Sequence, residues 1–202
     1  MHAIGARHFG TLNYLQSGII ANKDVRGLLM HEGGLNKRNN WEKPLMETVG
    51  LGFYFEDLPV GRKFQTIGRT IQDADICAFI NCIHLTEVLF TDMEFLKNES
   101  DIKGRLAPGA LSYCYAEGLL AQATMQKTGY AFLNMELNIE NPAFAGDTIH
   151  VECEVIEARL SASRPGRGLV RTRNRVVKQD GKVVLTYTPL RMVKCRDAGK
   201  TA

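Results

Sequence analysis

The chain has 202 residues, 45% of them hydrophobic and 23% charged, the balance of an ordinary globular protein rather than of a disordered or fibrous one. A formal net charge of +3 is mildly basic but well short of the clustered excess that a nucleic-acid binder carries. No stretch approaches the roughly 18 apolar residues of a membrane span and the N-terminus has no continuous apolar signal segment, so a cytoplasmic protein with no membrane contact is expected.

Residues 1–47 read as an N-terminal extension and 48–197 as the one folded domain. The extension carries scattered glycines and the polar run Asn36 to Asn40, and Leu12, Leu15, Ile19 and Ile20 have roughly helical spacing. From Phe53 the texture changes, with an aromatic cluster followed by a Pro/Gly turn at Pro59 to Gly61 and a strand over about 63–69. Thr70 followed three residues later by Asp73 is the pattern that satisfies orphan N–H groups at a helix start, and Ile76, Phe79, Ile80 and Ile83 supply that helix with an apolar stripe.

A longer helix is expected from Pro108-Gly109 to about Lys127. Ala110, Ala116, Gly118 and Ala121 would let it pack closely on a sheet, and Gly129 would end it. The period then changes to two: Ile149, Val151, Cys153 and Val155 alternate with His150, Glu152 and Glu154, the mark of a strand with one buried face. Further strands are expected over 131–139, 168–178 and 183–194, the last two joined by the Asp180-Gly181 hairpin turn. This order gives an α+β fold, an antiparallel sheet wrapped around one long central helix.

Three segments resemble the MaoC-like dehydratases and (R)-specific enoyl-CoA hydratases of the hotdog superfamily. Phe55-Glu56-Asp57-Leu58-Pro59-Val60-Gly61 is similar to their FEDF-x-VG opening, Gly104-Arg105-Leu106-Ala107-Pro108-Gly109 to their GR-I-APG, and Pro142 to Thr148 to their P-V-x-x-GDT. The likeness covers about residues 50–195. It implies a single hotdog fold, a homodimer or higher oligomer, and an acyl-CoA or acyl-carrier-protein thioester as substrate, in the chemistry of fatty acid metabolism. Coenzyme A would enter only as part of the substrate, with no separate cofactor.

Hydration of an enoyl thioester builds negative charge on the thioester oxygen, and a helix N-terminus offers unpaired N–H groups and a positive dipole end. By resemblance the Gly109 N–H belongs to the oxyanion hole, with Arg105, Ala107, Pro108 and Tyr113 lining the substrate. Pro108-Gly109 as a plain helix-start turn is the alternative, as core packing is for Tyr113. The family's loop GD-x-NP-x-H supplies a catalytic Asp and His, but here Leu85 stands at the Asp position and Phe90 at the His position. Two readings follow. Either His84 and Glu87, in the same loop, restore an imidazole and a carboxylate for proton exchange, or the domain binds acyl thioesters without hydrating them, with thioester hydrolysis as a third possibility.

Arg171, Arg173 and Arg175 share one strand face, placed either to meet the phosphates of coenzyme A or to form a solvated outer surface. The five cysteines (Cys77, Cys82, Cys114, Cys153, Cys195) include no Cys-x-x-Cys pair and read as reduced core thiols. The scattered histidines pair with no nearby cysteine at ligand spacing, so no metal is expected.

Overall fold

The computed structural model describes residues 47–197, and the helix-spaced Leu12 to Ile20 segment lies outside them. Their backbone is a hotdog: a long helix, α4 (Gly109–Thr124), lies against an antiparallel sheet. The sheet is centred on β7 (Thr148–Leu160) and β8 (Arg167–Lys178). On β7, Ile149, Val151, Cys153 and Val155 are buried while His150, Glu152 and Glu154 face outward, the period-two pattern read from the sequence. Their inner faces meet Leu111, Ala116, Leu119 and Leu120 of α4 in one core cluster. Each such aliphatic side chain contributes about 1.5–3 kcal/mol by leaving water.

β1 (Lys63–Gln65) and β2 (Arg69–Thr70) pair with β7 where one strand over 63–69 was expected. Thr70 therefore does not cap the following helix, because its hydroxyl bonds to the Thr148 hydroxyl at 2.7 Å. Instead α1 (Asp73–Cys82) starts from Gln72, whose N–H donates to the Asp75 carboxylate at 2.8 Å. Ile76 and Ile80 are buried as expected, but Ile83 falls beyond the last helical turn and is exposed. Two short helices that the sequence reading missed follow, α2 (Val88–Thr91) and α3 (Met93–Asn98).

A two-stranded ribbon, β3 (Leu106–Ala107) with β6 (Ala143–Phe144), also went unforeseen. After α4, the expected strand 131–139 is two, β4 (Gly129–Asn134) and β5 (Leu137–Ile139). The expected 183–194 is likewise β9 (Val183–Tyr187) and β10 (Leu190–Lys194). Pro189 has no N–H to give a ladder, and across the two interruptions the Thr188 N–H donates to the Glu136 carbonyl at 2.9 Å. The sheet path runs β1-β7-β8-β10-β4, with β9 also on β8 and β5 on β9.

Some expectations of packing are corrected. Ala116 is fully buried, but Ala110 and Gly118 face outward. α4 ends before Met125, the left-handed residue is Lys127 at φ 61°, and Gly129 already begins β4. Of the five thiols only Cys153 and Cys195 are buried, while Cys82 and Cys114 are exposed.

Candidate active site

The ribbon β3–β6 brings two of the sequence motifs to one place. Leu106 and Ala107 pair with Phe144 and Ala143, and the Ala145 N–H donates to the Arg105 carbonyl at 2.9 Å. Gly146, at φ 94°, turns the chain as L side chains rarely do, and its N–H reaches the Ile71 carbonyl at 2.7 Å. The Asp147 carboxylate closes that turn by accepting from the Phe144 N–H, from Lys178 Nζ at 3.1 Å and from Gln179 Nε2 at 2.8 Å. Burial alone would raise its pKa, but Gln179, the Phe144 N–H and Lys178 outweigh burial and hold it below the usual carboxylate range.

This frame sets up the start of α4. Pro108 is buried and extended, at φ −53° and ψ 138°, and its carbonyl accepts from the N–H groups of Leu111 and Ser112. Among the described residues the N–H groups of Gly109 and Ala110 have no acceptor. They are two of the orphan donors at the positive end of the helix. A Cβ at position 109 would lie 2.5 Å from Ile139 Cδ1, so glycine leaves the backbone open beside an otherwise exposed isoleucine.

Arg105, which the resemblance implies as a substrate-lining residue, acts within the chain as a clamp. Its guanidinium donates to Asp73 Oδ1 at 2.5 Å, to the Phe90 carbonyl at 2.7 Å and to Cys77 Sγ at 3.2 Å, so it ties α1 to the loop that follows. In that loop His84 adopts the left-handed region at φ 55°, and the Leu85 N–H donates to the Ile80 carbonyl at 2.9 Å. Leu85 packs against the core and Phe90 is buried in it. His84 and Glu87 are both exposed, and no hydrogen bond or ion pair joins their side chains among the described residues.

The arginine row is engaged as well. β7 and β8 stand in a register that sets Glu154 opposite Arg173 and Glu152 opposite Arg175, with ion pairs of 3.2 and 2.8 Å. Arg171 pairs with Glu157 at 3.4 Å and donates to the Thr188 carbonyl at 3.0 Å. This outer face is a cross-strand charge ladder, with Arg173 still half exposed within it.

Polar groups that no local pattern signals lie farther along α4. Glu117 accepts from the Tyr187 hydroxyl at 2.7 Å and from Arg191 Nη2 with both oxygens at 2.7 Å. Burial and the neighbouring Glu117 carboxylate push the Tyr187 phenol far up from its ordinary pKa. Tyr113 packs edge-on against Tyr187, with ring centroids 5.3 Å apart. Nearer the N-terminus of the domain, Tyr115, the Gln72 N–H and Arg69 hold the Asp75 carboxyl below its usual range, while burial pushes the Tyr115 phenol up to about 12. Two buried side chains, Ser112 and Asn174, have no hydrogen-bond partner among the described residues. A cavity of about 320 Å³ opens between the C-terminal half of α4 and the sheet. Among the described residues no helix is long and apolar enough to cross a membrane.

A family profile described as "FAS1-like, dehydratase domain region" matches residues 59–187. Among solved structures, a MaoC-like dehydratase from Rhodospirillum rubrum is 29% identical, covering 72% of this chain and 99% of its own with a TM-score of 0.65. The R-hydratase PhaJ1 from Pseudomonas aeruginosa is 25% identical over 72% of this chain and 88% of its own, at TM-score 0.60. A double-hotdog protein from Mycobacterium tuberculosis is 26% identical over 77% of this chain but only 48% of its own, at TM-score 0.66. No curated protein matches the sequence.

Proposed function

The chain belongs to the FAS1-like dehydratase-region family of MaoC-like hotdog dehydratases, and from that premise we propose that it is a hydro-lyase adding water reversibly to an enoyl thioester, acyl-CoA or acyl-carrier-protein. The observation that carries the reading is the open start of α4, where the N–H groups of Gly109 and Ala110 point from a positive helix end with no acceptor among the described residues. A thioester carbonyl placed there polarises its double bond. As hydroxide character adds at C3, charge moves onto the thioester oxygen, where fixed donors stabilise it. Glu87 takes the proton from water and His84 delivers one to C2, so that hydroxyl and hydrogen are added and nothing else is consumed.

A second reading has a specific observation behind it. The two positions that carry the family's proton-transfer side chains hold Leu85, packed against the core, and Phe90, buried in it, and His84 and Glu87 are exposed and unpaired with one another. This favours a domain that binds thioesters without turning them over. In either case a homodimer is proposed. The edge strand β4 leaves Tyr130, Phe132 and Leu133 half exposed, and one hotdog here corresponds to about half of the double-hotdog relative.

The deciding experiment follows the absorbance of the conjugated thioester when the purified chain meets trans-2-enoyl-CoAs, with a thiol reagent run in parallel. Loss of absorbance without thiol release, abolished in His84→Ala and Glu87→Gln, supports hydration. Activity unchanged in both variants refutes their assignment, thiol release would indicate a thioesterase, and saturable CoA-ester binding without turnover supports the binding reading.

A further inference from the structure

We propose that the tip of the β7–β8 hairpin, with Tyr130 beside it, is a binding site for a phosphate monoester group carried on a small molecule. The site does not rest on the thioester reading, because it is built from β4, β8, β10 and the hairpin tip and from none of the residues at the start of α4.

The observation behind it is an imbalance of charge. Five arginines of this sheet each meet a carboxylate: Arg159 and Arg171 pair with Glu157, Arg173 with Glu154, Arg175 with Glu152 and Arg191 with Glu117. Arg164 and Arg167 have no ion pair among the described residues, yet they are brought together rather than kept apart. Arg164 Nη1 donates to the Tyr130 hydroxyl at 3.2 Å, and the guanidinium carbons of Arg164 and Arg167 lie 5.6 and 4.8 Å from the centroid of the Tyr130 ring. In the strand register Lys194 stands directly opposite Arg167, so a third cation shares this face. Of the neighbouring carboxylates, Glu157 is held by two arginines, and Glu56 and Asp57 are held by Arg196.

Like charges directly opposite one another weaken a strand ladder. Tyr130 offsets part of that by cation–π attraction, but a neutral phenol brings no negative charge. The cations are also fixed in place. The Arg164 N–H donates to Ser161 Oγ at 3.2 Å, Arg167 Nη1 donates to the Gly166 carbonyl at 2.9 Å, and the Cys195 N–H reaches that same carbonyl at 3.1 Å. An anion arriving here meets donors set in advance, which lowers the entropy lost on binding.

Charge and shape set the class. Two guanidinium groups gathered at one ring can both reach a single tetrahedral oxyanion, which has oxygens enough to accept from each fork. A carboxylate has two oxygens and one charge, which suit one fork only. A phosphate monoester carries about −1.5 to −2 at neutral pH, the better match to three cations. Tyr130 is 50% exposed and Arg164 is exposed, so the site opens to solvent and its affinity should fall with added salt.

The test uses phenyl phosphate, adenosine 3′-phosphate and benzoate as probes on the full chain at low salt, by calorimetry, thermal melts and NMR of the Tyr130 ring. Both phosphates should bind at least about ten-fold tighter than benzoate, raise the melting temperature and move the Tyr130 resonances. Arg164→Gln with Arg167→Gln should abolish the preference and the thermal shift. Lys182→Gln, which removes one charge from the β8–β9 turn, should leave both intact. Arg164→Gln alone, at the exposed tip, should weaken phosphate binding and keeps the test open should the double variant fail to fold. Equal affinity of the two phosphates supports a site that reads the phosphate alone, and tighter binding of adenosine 3′-phosphate supports a nucleotide as its source. Benzoate bound as tightly as the phosphates, or phosphate bound by the double variant as by wild type, overturns the proposal.

Discussion

Replacing Gly109 by proline in an Ile139→Ala background removes one N–H and little else. Proline is well accepted at the first position of a helix, where its fixed φ suits the backbone and its missing N–H is an orphan in any case. It also requires an extended residue before it, and Pro108 is already at φ −53° and ψ 138°. The obstacle is the ring carbon that would stand 2.5 Å from Ile139 Cδ1, which the alanine removes. Ile139 is 61% exposed, so the alanine change alone should cost no more than about 0.5 kcal/mol. Losing glycine's unfolded-state freedom should return about 0.4–1 kcal/mol, so the double variant should melt no lower than its Ile139→Ala parent. If the Gly109 N–H stabilises a developing oxyanion, kcat for enoyl-thioester hydration falls by about 100- to 1,000-fold, about 2.7–4 kcal/mol. If it only holds a ground-state carbonyl, affinity changes by about 0.5–1.5 kcal/mol, roughly three- to ten-fold. Stopped assays of kcat and KM beside thermal melts separate these outcomes. A stable double variant with both constants unchanged refutes a role for this helix end.

Three further outcomes are expected. Asp147→Asn should cost about 3 kcal/mol in urea unfolding at neutral pH, because it strands Lys178 in a pair whose side chains are only 13% and 10% exposed. The Asp147 pKa is depressed in the fold, so the wild-type advantage is fully present above the unfolded-state value and lost as pH falls through the lower folded value. Acid unfolding of the two proteins should converge there, and a constant gap down to the lowest pH would contradict this. Glu117→Gln should cost about 3 kcal/mol by leaving Arg191 unmatched, whereas Glu117→Gln with Arg191→Met should recover most of it in a double-mutant cycle. Additive losses would mean that the pair contributes no coupling. Leu85→Asp with Phe90→His should raise enoyl-CoA hydration at least ten-fold while lowering stability by about 2–4 kcal/mol for the lost core aromatic, measured by initial rates and melts. No gain in a folded variant would place the determinant outside this loop.

What was legible in the sequence was local. The alternation of Ile149 to Val155 names a strand and its buried face because the side-chain period of a strand is two, and Asp180-Gly181 names the hairpin between β8 and β9, with Gly181 at φ 82°. Gly109 could be set at the start of α4 for the same reason, since Pro-Gly punctuates the chain. Thr70 was misjudged because a hydroxyl can cap a helix or bond across strands, and only the position of Thr148 decides. The arginines of β8 were rightly put on one face, but that Glu152 and Glu154 stand opposite them depends on the register with β7, which no single strand encodes. Glu117 looked like one more polar residue on a helix, and its partner Arg191 lies 74 positions away. Asn174 stands inside a run of arginines, and its burial follows from the sheet's inner face alone.

The loop after α1 shows where scaffold and chemistry part. Arg105, from the motif before α4, donates to the carbonyl of Phe90 rather than to its side chain. The Leu85 N–H is held by Ile80, again through the backbone. Neither contact depends on which side chain stands at 85 or 90, so the loop keeps its anchorage while those positions exchange ionisable groups for apolar ones. The apolar pair then gains core contacts that an aspartate and a histidine could not make without hydrogen-bond partners. That trade makes a silent loss of proton transfer easy to accommodate, and it leaves the donors at Gly109 and Ala110 untouched. On the proposed function, binding at the helix end and proton transfer in the loop would therefore be separable, and the Gly109 and Leu85/Phe90 variants probe them one at a time.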